Sequence, residues 1–390
     1  MPAFVSRLDV NSDAYQKNRS EQLENIELLR QLQVRAKAAS EKRRPRFEER
    51  GQLTPRDRLA RLLDVGMPFV ELFNLASYCV DDPNRETSLP GASILAGIGY
   101  ISGVRSMICV DDSGINAGAA TERGFDKLTA CIQIAISNKL PFIHLVESAG
   151  ANLMAYKIEG WAYAGRVFYS LAKASAAGVP TFTILHGPST AGGAYMPGMS
   201  DYNVGVKNNG MAALGGAALV QAATGEIADE RELGGTEMHA SVSGLMEHLA
   251  EDDADGIHKM RELVGRLGWN SHCPPTPQRE FLDPLYDKEE ILGLVPTDYK
   301  VPYDSRELIA RLVDGSDFIE FSNRFGTNLV CVHASIFGHD VALVANNGPM
   351  GPDEAAKGAH FFQTVDQANI PLIFLNNITG YMVGTEYEQA

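Results

Sequence analysis

LPFIHLVESAG (residues 140–150) and IPLIFLNNITG (residues 370–380) share a plan: an aliphatic residue and a proline, a short apolar run, then a polar turn closed by glycine. An apolar run of this length between proline and glycine reads as a strand covered on both faces. The correspondence extends upstream. Arg61-Leu62-Leu63-Asp64, then Phe69-Val70-Glu71-Leu72, is answered 250 and 249 residues on by Arg311-Leu312-Val313-Asp314, then Phe318-Ile319-Glu320-Phe321. Gly103, a strand and Asp112-Ser113-Gly114 are answered by Gly338, a strand and Asn346-Asn347-Gly348, at offsets of 235 and 234. The order is kept while the offset falls to 230 at Leu140 and Ile370, as small loop deletions produce. Self-similarity of this kind marks a duplicated unit.

Between residues 106 and 200, short apolar runs alternate with segments of 3.6-residue period, the signature of strands joined by crossover helices. Ser106–Val110, Phe142–Val146 and Thr181–Leu185 read as strands. Phe125, Leu128, Ile132, Ala135 and Ile136 form one apolar stripe on a helix that stops before Pro141. A second helix, about Trp161–Ala177, ends at Gly178 with Pro180 beyond it. The expected class is α/β with a mostly parallel sheet. Three segments are expected: a helical basic arm over 1–60, an N-terminal domain over 61–275 and a partial C-terminal domain over 285–390. In the first copy, Glu147-Ser148-Ala149-Gly150 is followed by Gly187-Pro188-Ser189-Thr190-Ala191-Gly192-Gly193. The second copy reaches Asn377-Ile378-Thr379-Gly380-Tyr381 and stops at Ala390, so a longer chain cut short is the expectation.

The length of 390 residues exceeds one core of ~100–200 residues, in keeping with two domains. Lys+Arg 34 against Asp+Glu 49 gives a net charge of −15, which repels phosphate backbones and anionic lipid. No nucleic-acid partner is expected. The five cysteines are scattered and never form C-x-x-C, so neither a disulfide framework nor a metal site is indicated, and a reducing compartment fits. No apolar stretch approaches the ~20 residues of a bilayer crossing, and the acids of MPAFVSRLDVNSDAYQ are out of place in a targeting peptide. The reading is cytoplasmic, with no membrane partner.

Two features could carry chemistry. The first is the loop HGPSTAGGAYMPGMSD, whose Gly187, Gly192 and Gly193 let backbone approach a ligand without a Cβ in the way. Free N–H groups at such a strand end can form an oxyanion hole; tight packing of a turn is the alternative. The turn Ser148-Ala149-Gly150-Ala151-Asn152 leaves the neighbouring strand, so donors could converge from two sides. The second is the excess of arginine around Pro45, where Arg43, Arg44 and Arg46 fit either a solvated helical arm or fork-shaped donors to a phosphorylated ligand. His144 reads as a core residue; His186, beside the glycine loop, fits either a core residue or one that positions ligand. Glu147 fits either a general base or a cap on backbone N–H groups. G-x-S-x-G, G-x-x-x-x-G-K-[ST], H-E-x-x-H and G-x-G-x-x-G opening a helix after a strand are all absent, which removes the usual support for hydrolase, kinase and zinc readings.

Several long motifs in this order resemble those of the carboxyltransferase (beta) subunits of biotin-dependent acyl-CoA carboxylases, over about residues 40–390. They are Arg50-Gly51-x-Leu53-x-x-Arg56-Asp57-Arg58 with Leu62-Leu63-Asp64, Thr190-Ala191-Gly192-Gly193-Ala194-Tyr195, and Ala222-Ala223-Thr224-Gly225-Glu226 with Leu233-Gly234-Gly235. Val344-Ala345-Asn346-Asn347-Gly348, Lys357-Gly358-Ala359-His360-Phe361 and Asn377-Ile378-Thr379-Gly380-Tyr381-Met382-Val383-Gly384 resemble the methylcrotonyl-CoA and geranyl-CoA carboxylase branch. The chain departs from the methylcrotonyl pattern at Ile115-Asn116-Ala117-Gly118-Ala119-Ala120, where that branch carries K-G-G-T-Y-Y-P, and at Gln221, where a lysine is usual. Smaller residues there favour a longer isoprenoid acyl chain.

The resemblance implies a duplicated crotonase-like fold, its second copy incomplete, and transfer of a carboxyl group from carboxybiotin to an acyl-CoA. Gly192 and Gly193, helped by Gly150, would hold the thioester enolate, with Ala149, Ala151, Ala191 and Arg43, Arg44 and Arg46 binding substrate. Gly380 and Tyr381 would face the biotin ureido oxygen. Biotin would arrive on an alpha subunit bearing biotin carboxylase, the beta chains would form a hexamer, and no metal would be needed in this chain. A second biotin-side loop would lie beyond Ala390, leaving a chain that ends there with little transfer activity. A crotonase-type hydratase or isomerase, a non-catalytic assembly subunit and a decarboxylase subunit of a sodium pump remain open as alternatives.

Overall fold

The chain, in a computed structural model that describes residues 3–119, 121–150, 158–274, 279–378 and 380–389, divides into two units. One is Arg30–Pro275; the other joins Met1–Leu29 to Thr276–Ala390. The long helix Asp13–Glu41 therefore starts in one unit and ends in the other.

In Arg30–Pro275 the sheet contains β1 (Val70–Glu71), β2 (Ile94–Ile101), β3 (Val104–Asp111), β4 (Phe142–Ser148), β5 (Thr181–Thr190), β6 (Tyr202–Val206), β7 (Met211–Ala213) and β8 (His248–Ala250). Their order is β1-β2-β3-β4-β5-β6-β8, with β7 also on β5. β1, β2 and β3 pair antiparallel, and every pairing from β3 to β8 is parallel. The helices expected from the sequence are present. Glu122–Asn138 starts at Thr121, whose Oγ1 accepts from the Gly124 N–H at 3.2 Å, and ends at Lys139 in the left-handed region. Ile158–Ala176 follows β4. Side chains alternate along each strand, so Met107, Cys109 and Phe142 pack with Leu128, Ile132 and Leu171 on one face. Ile108, Val110, Ile143, Phe182 and Ile184 pack with Ile257 and Val264 on the other. Each such large side chain removed from water contributes about 1.5–3 kcal/mol.

The other unit repeats the first four strands. β9 (Phe318–Phe321), β10 (Leu329–Ile336), β11 (His339–Asn346) and β12 (Leu372–Leu375) lie in the order β12-β11-β10-β9, matching β4-β3-β2-β1. In both units a hairpin of two eight-residue strands is followed by a helix, here Pro352–Gln367, and a parallel strand. The copies agree at atomic detail. Ser102-Gly103 and Phe337-Gly338 turn their hairpins with φ of 49° and 78°, and 49° and 77°. Two left-handed residues are what a two-residue turn matched to strand twist requires. The Asp64 carboxylate accepts from the Ser102 and Gly103 N–H groups at 2.9 and 2.6 Å, and Asp314 does the same for Phe337 and Gly338, both at 2.8 Å. Buried Lys127 donates to the carbonyls of Phe73, Gly91 and Ile94, and buried Lys357 to those of Gly326 and Leu329. The fold is thus α/β and duplicated, the crotonase-like arrangement expected from the sequence, with the plan of β1–β4 repeated in β9–β12.

Candidate functional site

The C-terminal ends of parallel strands are where an open α/β sheet presents its ligand sites. At the ends of β4 and β5, Ser148 pairs with Ser189, and Gly150 (φ 81°) lies so close to Thr190 that a Cβ there would sit 3.1 Å from its carbonyl oxygen. The two glycine-bearing turns named from the sequence therefore do converge. β5 runs farther than Leu185, through Gly187 and Pro188 to Thr190, because β7 pairs with Pro188–Thr190 in parallel. The chain then bends at Ala191, φ 52°, into the helical turn Ala191–Ala194, half-buried throughout. The first N–H groups of such a turn have no partner within it. Among the described residues, none accepts from the Gly192 N–H.

On the β4 side the amides are engaged. The Ala149 N–H donates to the Ala117 carbonyl at 3.1 Å, and the Gly150 N–H to Ser148 Oγ at 3.2 Å. Ser148 Oγ donates in turn to the Gly118 carbonyl at 2.8 Å. The loop Asn116–Gly118, with φ of 49°, 53° and 69°, is thereby stitched to the turn. Ala151 lies outside the described residues. Of the arginines, Arg44 is bound to Glu41 and Asp57 at 2.7 and 2.8 Å, whereas Arg43 and Arg46 are exposed. In the other unit, Gly380 has φ 151° and open space where a Cβ would be, and Tyr381 is 69% exposed.

Beneath the two turns lies a buried charged cluster. Arg58 Nη1 meets Glu147 Oε2 at 2.5 Å and Arg58 Nε meets Asp253 Oδ2 at 2.8 Å. Asp253 Oδ1 lies 2.8 Å from His186 Nδ1 and accepts from the Leu53 N–H through Oδ2. Gln52 Nε2 donates to the His186 carbonyl at 2.9 Å. Burial pushes the His186 imidazole below its ordinary value, against the pull of Asp253. Burial works against the Asp253 carboxylate too, but His186 and Arg58 hold it well below the usual carboxylate range. Glu147 is thus an ion-pair partner, and His186 is fully buried. His144 is a core residue paired with Asp111 at 3.0 Å. Asp253 and Gln52 were not singled out by sequence, since Asp253 sits in an acidic run whose other members face solvent. Among the described residues there is no group of three or more His, Cys, Asp or Glu that could hold a metal, and no helix is long and apolar enough to cross a membrane.

With these features in view, three comparisons are informative. The sequence matches the carboxyl transferase domain over residues 46–390. It is 42% identical, over 98% of the chain and 71% of the relative, to a probable biotin-dependent acyl-coenzyme A carboxylase beta2 subunit of Mycobacterium tuberculosis, and 41% identical, over 93% and 68%, to a 3-methylcrotonyl-coenzyme A carboxylase beta1 subunit of the same organism. The crystal structure of the geranyl-CoA carboxylase beta subunit of P. aeruginosa is similar with a TM-score of 0.92 and 47% identity, covering 100% of this chain and 72% of that one. A doubled hairpin–helix–strand unit, a glycine turn at the end of β5 and a family match over most of the sequence lead to one assignment: the chain belongs to the carboxyl transferase domain family, with the beta subunits of biotin-dependent acyl-CoA carboxylases among its relatives.

Proposed function

We propose that this chain carboxylates the γ-carbon of a 3-methyl-2-enoyl-CoA, geranyl-CoA ahead of 3-methylcrotonyl-CoA, using carboxybiotin carried on a biotin carboxylase/carrier alpha subunit. The observation that supports it best is the Gly192 N–H, which no described residue accepts, in the turn that follows β5, beside the end of β4. A donor fixed there before reaction stabilises the oxygen of a thioester as it becomes an enolate, a contribution of about 10²–10³ in kcat. Gly193 lines the same turn, Ala149 and Ala191 flank it, and Gly150 provides the close approach of the two strand ends. Glu147 is committed to Arg58, and His186, held by Asp253 at Nδ1, is fully buried, so neither reaches the γ-proton. Carboxybiotin on the partner would supply the CO2 and the base for that proton, leaving this chain's residues to hold the enolate oxygen. The exposed Gly380–Tyr381 turn, with no Cβ in front of Gly380, fits a ureido ring.

The small residues of Asn116–Gly118, fastened beside Ser148 and Ala149, favour a longer acyl chain over a short one. Exposed Arg43 and Arg46 suit the phosphates of CoA, Arg44 being held by Glu41 and Asp57. Homo-oligomers, hexamers as the resemblance implies, and a cytoplasmic setting complete the reading. The test is a panel of geranyl-, 3-methylcrotonyl-, propionyl- and acetyl-CoA offered to the full-length protein with its alpha partner, ATP and bicarbonate. The highest kcat/KM is expected for the two 3-methyl-enoyl esters. Preference for propionyl-CoA, or hydration of crotonyl-CoA without ATP, would overturn it.

A further inference from the structure

We infer that Arg58 is a positioning residue that sets the spacing of the two strand ends at the active site, an inference that rests on the carboxyl-transfer reading. Its guanidinium is 1% exposed and cannot touch substrate, yet it is bonded through two different nitrogens to two carboxylates. One, Glu147, immediately precedes the Ser148–Gly150 turn of β4. The other, Asp253, holds His186, which immediately precedes the Gly187–Gly193 stretch of β5. Glu147 also packs on Gly187 so closely that a Cβ there would lie 2.5 Å from its Cγ. Arg58 is thus tied on one side to the end of β4 and, through Asp253 and His186, to the end of β5, the two segments between which the thioester oxygen would sit.

Two observations separate this role from that of a generic scaffold bond. First, the duplicated unit dispenses with it. Leu308 falls 250 residues beyond Arg58 and Asn377 falls 230 beyond Glu147, the local offsets of the repeat. Yet hairpin, aspartate caps and buried lysine are all kept in that unit. That unit's own buried arginine, Arg311, bridges Glu290 and Glu307 instead, neither of which ends a strand, so the hairpin–helix–strand plan forms without a bridge at the strand end. Second, the cluster is a poor stability device. Burying one cation between two anions incurs desolvation that well-packed apolar residues avoid. Arg58 Nη2 and His186 Nε2 are moreover buried without a protein partner among the described residues. What a bidentate, planar guanidinium adds is fixed geometry.

The experiment is Arg58→Lys in the full-length protein assembled with its biotin-carrying partner. Lysine keeps the charge but cannot span both carboxylates. The expected result is a folded, assembled enzyme whose kcat falls about 10–100-fold, while KM and the calorimetric Kd for acyl-CoA move less than threefold. Arg58→Met/Glu147→Gln, which leaves fewer unpaired charges than Arg58→Met alone, should show the same split. A kcat within twofold of wild type in folded Arg58→Lys, or loss of kcat only in proportion to loss of folded protein, would overturn the positioning role and leave the functional reading intact. Absence of carboxyl transfer by the wild type would overturn both.

Discussion

Valine at Gly192 tests the oxyanion turn with little risk to the fold. A Cβ at that position would meet only the Phe168 ring, at an ordinary 3.6 Å, and the backbone there is not left-handed. The added side chain would crowd the half-buried turn where the thioester oxygen is expected to sit. Gly192→Val is expected to keep its melting temperature within a few degrees and to lose at least about 100-fold in kcat; near-normal turnover in folded protein would count against the assignment. Gly193 is less clean, because a Cβ there would lie 2.6 Å from the buried Ser189 hydroxyl. At this scale the sequence was legible where a residue type has one use. Glycine at a strand end announced a close approach, and His144 inside a strand announced a core histidine. Charged residues have several uses, so Arg58 and Asp253 gave no hint that one would bridge to the other across 195 residues. Arg44 showed the converse, a fork-shaped donor already occupied by its own neighbours.

The helices and the central parallel strands were readable because their apolar periods are long and their stops are proline or glycine. β2 was not, for its sequence ILAGIGYI contains two glycines that lower strand propensity. The structure gives their reason: a Cβ at Gly97 would fall 2.5 Å from the Phe69 ring and the Val70 carbonyl, and one at Gly99 would fall 2.5 Å from Leu63. They make room for Leu63, Phe69 and the start of β1. The repeated Arg-Leu-x-Asp signature likewise had no visible purpose until Asp64 and Asp314 were seen holding the hairpin turns. Each carboxylate satisfies two N–H groups in a left-handed turn that Ser102 and Phe337 enter at a cost. Asp64→Ala and Asp314→Ala should each destabilise the unit they belong to by about 1–3 kcal/mol, measured by urea unfolding with local hydrogen exchange. Equal loss of protection throughout the chain, rather than in one hairpin, would show that the caps are not local devices.

For the molecule as a whole, acid is the informative perturbation. His186 has a folded pKa below the ~6.5 of the unfolded chain, so on acidification the unfolded state takes up the proton first. Stability attributable to neutral His186 is complete above that value and falls as pH drops below it, by up to about 1.4 kcal/mol per pH unit. Asp253, depressed in the fold, loses its contribution at still lower pH, while Asp112, raised by burial, works in the opposite sense. His186→Asn keeps a donor toward Asp253 without the titration. Between pH 7 and 5 its stability curve is expected to be flatter than that of the wild type; parallel curves would show that His186 is not what senses acid.

The two inward ammonium groups have a practical consequence. Lys127 and Lys357 are 3% and 2% exposed, each in its own unit, with carbonyl oxygens as partners. Acylating reagents that modify surface amines within seconds should reach either one only when its surroundings come apart. Mass spectrometry of two tryptic peptides would then report, in one tube and without engineered labels, which half opens first and how fast.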